Sequence, residues 1–132
     1  MQYATQTAPV STKTLWAGRI VSALPALFLF LDGVAKLIIP PQVLEGTIRL
    51  GYSESVILPL GIVLMACTII YVIPRTSVIG AILLTGYLGG AVATHVRVGD
   101  SLFSVIFPVI VGALLWGGLY LRDDCLRALI SL

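Results

Sequence analysis

Apolar residues fall in four long runs separated by short polar joints, the layout of helices that cross a membrane. The first run, Leu15 to Ile39, closes at Pro40-Pro41, a pair that neither donates backbone hydrogen bonds nor continues a helix. The second covers about 55–73 and ends at Pro74-Arg75, and the third covers about 76–98. The turn Gly99-Asp100-Ser101 leads into the fourth, about 102–121. Runs of about 19 to 25 residues rise roughly 28–37 Å as α-helix, enough for the hydrocarbon core with some tilt. In the longest connection, 40–54, Val43, Leu44, Ile48 and Leu50 are interspersed with Glu45, Arg49 and Glu54, which predicts a short amphipathic segment at the interface.

The predicted fold is all-α: an integral membrane four-helix bundle of up-down-up-down topology, because the short joints force antiparallel neighbours. Residues 15–123 form this single domain, with a flexible tail at 1–14 and a short C-terminal tail at 124–132. The opening segment is not a secretory signal, since the run behind it is too long, holds Asp32 and Lys36, and lacks a small-residue cleavage site. Small residues paired at 86/90 and 89/93, with Gly112, Gly117 and Gly118 in the fourth span, suit close packing inside the bundle, with a homodimer face as the alternative.

Composition agrees with the pattern. With 58% hydrophobic and 11% charged residues and a mean hydropathy of +1.06, the chain lacks the polar surface of a soluble domain. A net charge of +2 without a basic stripe excludes nucleic acid as a partner. Of the eight basic residues, Lys13, Arg19, Arg75, Arg122 and Arg127 fall on the side of the termini and Lys36, Arg49 and Arg97 on the other, so both termini are expected in the cytoplasm. Trp16, Tyr71, Trp116 and Tyr120 mark the same inner boundary, as an aromatic belt would. Cys67 and Cys125 form no C-x-x-C motif, so a thiol-disulfide enzyme is not expected and Cys67 reads as a packed thiol.

The candidate chemistry lies where charge interrupts the apolar runs. Asp32 and Lys36 stand one helical turn apart near the end of the first span. An acid at that depth costs about 2.5–3.5 kcal/mol on insertion scales and should face the bundle and find a partner. Antiparallel parity brings Thr94, His95 and Arg97, near the end of the third span, to the same level, with Tyr87 two turns deeper. Asp32, Lys36, Tyr87, Thr94, His95 and Arg97 are therefore the candidate pocket residues, on the outer side, with Asp32 and His95 as candidates for acid and base. Two readings stay open: an ion-pair network that staples the first and third spans, or a wet, lipid-accessible pocket exchanging protons with a lipophilic molecule. No metal site is expected, because the single histidine has no H-x-x-H or E-x-x-H partner.

"FLDGVAKL" in the first span, "RLGYSESVILPLG" through "VGD" in the centre and "LLWGGLYLRD" at the end resemble the DoxX-like family of small membrane proteins, over about residues 15–123. "LTGYLGGAVATHVR" is the most specific stretch. The resemblance implies a multi-pass protein of the bacterial inner membrane. It also implies a membrane subunit of a quinone-linked redox system, auxiliary or binding a quinone or other lipophile, with a redox partner protein or a second copy as partner. A membrane isomerase or reductase acting on a lipophilic molecule, and a structural anchor for other proteins, are the alternatives.

Overall fold

The computed structural model describes residues 11–130. Helix α1 spans Thr12–Ile38, α2 Pro41–Arg49, α3 Ile57–Val72, α4 Ser77–Arg97, α5 Leu102–Arg122 and α6 Asp124–Ile130, with single 3₁₀ turns at Glu54–Val56 and Pro74–Thr76. No strand occurs among the described residues. Four helices are long and apolar enough to cross a membrane.

Local chemistry sets the boundaries. The Ser11 hydroxyl accepts the Thr14 N–H at 3.2 Å, so α1 begins before the predicted Leu15 and takes up the end of the expected tail. The rest of that tail, residues 1–10, lies outside the described residues. At the other end Ile39 turns left-handed (φ 57°) and returns its N–H to the Ala35 carbonyl, and Pro40 follows. Proline at the first position of α2 gives up no hydrogen bond there, and this helix occupies the segment expected to be amphipathic. Residues 124–130 are helical too: the Asp123 carboxylate accepts the Leu126 N–H at 2.8 Å, and Leu126 and Ala128 are buried.

In the bundle α1 packs on α3 and α5, and α4 packs on the same two. Close contacts fix the sense of each pair. Gly18 lies against Arg122 and Ser22 against Gly118, Gly33 against Met65 and Lys36 against Gly61, and Leu88 against Gly112 with Thr85 bonded to Trp116, so these neighbours run antiparallel, while the 3₁₀ turn at Pro74–Thr76 folds α4 back to bring Gly80 onto Tyr71. The core between them consists of Leu29, Leu64, Tyr71, Leu84, Leu115 and Leu119. Outside it Ile20, Leu24, Ile62, Ile82 and Val109 point away from the bundle, a surface that suits hydrocarbon as solvent.

Two expectations about faces are corrected. Gly86, Gly89 and Gly90 are exposed and no atom of another helix lies within 4 Å of where a Cβ would stand, so the closest crossings use Gly18, Gly33, Gly61, Gly80 and Gly118 instead. Tyr71 is not part of an outward aromatic belt: it is 1% exposed, and its hydroxyl donates to the Leu115 carbonyl at 2.6 Å. A helix apolar all round gives no sequence signal of which side turns inward.

Candidate functional site

At the α2 end the bundle forms an open cavity of about 540 Å³. Phe28, Leu29, Leu60, Leu88, Phe107 and Val111 supply apolar wall from four helices. Phe28 and Phe107 meet edge to face at 5.1 Å. Toward α2 the lining turns polar, with Asp32, Lys36, Arg49, Tyr52, Thr94 and His95. Gly86 and Gly90 also line the space, and without side chains they leave it open to the outside of α4.

Lys36 donates to both oxygens of Asp32, at 2.8 and 2.9 Å. Its Cβ rests on Gly61, where any side chain would collide, and Gly33 likewise lets α1 close on Met65 of α3. The ammonium is thereby held inward, and the Lys36 side chain is only 16% exposed against 34% for Asp32. The pair is joined within α1 and makes no direct bridge between the first and third spans.

His95 is oriented by a different acid. Its Nδ1 lies 2.8 Å from Asp100 Oδ2, which also accepts Arg49 Nη2 at 3.2 Å, while Oδ1 accepts the Ser101 N–H at 3.0 Å. The His95 bond, then the Ser101 amide and the Arg49 guanidinium, hold the Asp100 carboxyl below its ordinary value of 3.8, at about 2. An ionised Asp100 places the proton on Nδ1, and Nε2 has no hydrogen-bond partner among the described residues. A depressed carboxyl stabilises the fold above its unfolded pKa and loses that contribution as pH falls through the folded one. Thermal melting of detergent-solubilised protein should therefore show a drop between pH 4 and 2 that Asp100→Asn reduces.

The Thr94 hydroxyl donates to the Gly90 carbonyl at 2.8 Å, so the 2.7 Å contact with Tyr52 is a bond donated by the phenol. Arg97 takes the Leu50 carbonyl at 2.8 Å and is not part of the cavity lining. Gly51 sits beneath that guanidinium at φ +95°, a backbone conformation that favours glycine. Together Arg49, Tyr52 and Arg97 strap α2 and the following turn across the cavity.

Of the six predicted residues, Asp32, Lys36, Tyr87, Thr94 and His95 line one cavity, and Arg97 braces its rim. Asp32 and His95 share the space but bond to different partners. Asp100 and Tyr52 were absent from the prediction, the first because a Gly-Asp-Ser turn reads as punctuation. The signal for it was a histidine in the last helical turn followed within five residues by an acid. Among the described residues no three His, Cys, Asp or Glu side chains converge as a metal set would.

Fold and site together define a small helical membrane protein with a polar-ended internal cavity. Residues 20–118 match the DoxX-like family, to which the chain belongs. No match is found among curated proteins or among solved structures.

Proposed function

We propose that the cavity binds a lipophilic small molecule with a polar head, of quinone type, and that the protein is an auxiliary membrane component of a redox system. The observation that carries this reading is the division of one cavity into an apolar half and a hydrogen-bonding half. Its volume of about 540 Å³ falls in the range of small-molecule sites, roughly 300–1,000 Å³. A carbonyl or hydroxyl head would meet Lys36, Tyr52 and His95, and a ring or chain would lie along Phe28, Leu88, Phe107 and Val111. His95, fixed by Asp100 with Nε2 unengaged, favours proton exchange with that head. The distribution of basic residues supports cytoplasmic termini in a bacterial inner membrane, with the cavity opening toward the outer side.

Native mass spectrometry of wild-type and Asp32→Asn protein, extracted gently from membranes, tests the proposal. Wild-type protein should carry a releasable lipophile that the variant loses at least tenfold, at little change in melting temperature. If both forms emerge empty and equally assembled, the proposal fails. Turnover by the purified protein alone, lost in His95→Gln with ligand retained, would mark the site as an enzyme's, with His95 as base.

A further inference from the structure

A second polar site lies at the opposite end of the bundle. A cavity of about 410 Å³ is lined by Arg19, Ser22 and Ala23 of α1, Tyr71 and Val72 at the end of α3, and Arg122 of α5. Arg122 reaches it from α5, which Gly18 and Gly118 bring so close to α1 that a Cβ on Gly18 would strike the Arg122 side chain.

The electrostatics of this cavity are one-sided. Arg122 donates from Nε to Ser22 at 3.0 Å and from Nη1 to Ser77 at 3.4 Å, and its guanidinium lies 5.3 Å from the centre of the Tyr71 ring. These contacts position the group and leave its charge uncompensated: no carboxylate pairs with Arg122 or Arg19 among the described residues. The adjacent acid, Asp123, caps α6, its Oδ1 accepting the Leu126 N–H. Arg19 stacks over Trp16 at 5.0 Å, which leaves its donor edge available. The N–H groups that Arg122 does not direct to Ser22 and Ser77, together with those of Arg19, suit the oxygens of a phosphate.

We infer that this cavity is a binding site for a phosphate-bearing anion, held between Arg19 and Arg122. The adjoining apolar surface of Leu15, Ala23 and Val72 fits the glycerol and first methylenes of an anionic phospholipid, and a soluble phosphate shares the same recognition chemistry. This site is separate from the α2-end cavity and does not depend on the ligand proposed there.

The test is native mass spectrometry of delipidated full-length protein titrated with phosphatidylglycerol, with phosphatidylcholine, and with inorganic phosphate as competitor. Phosphatidylglycerol should bind at least tenfold more tightly than phosphatidylcholine, and Arg19→Gln should remove most of that difference while circular dichroism and melting stay as in wild type. Arg122→Gln should do the same, with some loss of stability from its bonds to Ser22 and Ser77. Millimolar phosphate that displaces the lipid assigns the site to any phosphate group; lipid that resists displacement assigns it to phospholipid. Equal binding of the two lipids with no retention of phosphate overturns the inference, as does an Arg19→Gln protein that keeps wild-type preference.

Discussion

Gly80→Ala weakens the α3–α4 pair by about 2–3 kcal/mol, although alanine in place of glycine inside a helix ordinarily gains about 1 kcal/mol. The sign reverses because the added methyl would fall on the Tyr71 backbone, at its Cα and amide nitrogen. Backbone cannot rotate aside as a long side chain can, so the helices must separate. Separation loosens the Tyr71 to Leu115 hydrogen bond and the Ser77 hydroxyl's bond to the Tyr71 carbonyl at 2.7 Å. Gly86→Ala is the matched control, since nothing of another helix stands within 4 Å and the propensity gain should appear unopposed. Thermal and detergent denaturation of the two variants decides the matter. Equal stability would mean that α3 and α4 do not cross at Gly80.

The second large effect concerns the pair in α1. Lys36→Met removes the only cation bonded to Asp32 among the described residues and leaves a carboxylate facing a largely apolar cavity. The full penalty for an acid at mid-membrane, about 2.5–3.5 kcal/mol, is reduced here because the cavity is open and the Asp32 side chain is 34% exposed; about 1–2 kcal/mol is expected. Adding Asp32→Asn should recover most of the loss, since a neutral amide needs no counter-charge. A double variant as unstable as Lys36→Met would show that the loss does not come from an unpaired Asp32 carboxylate. Asp32→Asn alone is milder, as an unpaired lysine can extend toward water.

The spans were legible in the sequence because run length and proline stops act along the helix axis, the one coordinate that hydropathy reports. The predicted start of the first span, Leu15, lies three residues after the observed Thr12, an offset caused by a serine cap. Depth was legible for the same reason: counting residues back from Pro40 and Asp100 put Asp32 level with His95, and one cavity holds both. Rotation about the axis was not. Tyr71 reads as a belt residue and lies in the core, while the small face at 86, 89 and 90 reads as a packing seam and borders open space. The partner of His95 was hidden because it lies in a turn whose residues double as a helix stop.

Helix α2 buries a single residue, Thr47, and the Arg49–Asp100 and Arg97–Leu50 bonds tie it and its following turn to the rest of the chain. A segment with so few buried apolar contacts opens at a small fraction of the free energy that unfolds the bundle. Its opening should therefore depend on those ionic and amide bonds, which salt and acid weaken, more than on the packing of the bundle. For any occupant of the cavity, loss of the Arg97–Leu50 or Arg49–Asp100 bond should speed release, while Arg49 and Tyr52, which also line the space, should change affinity as well.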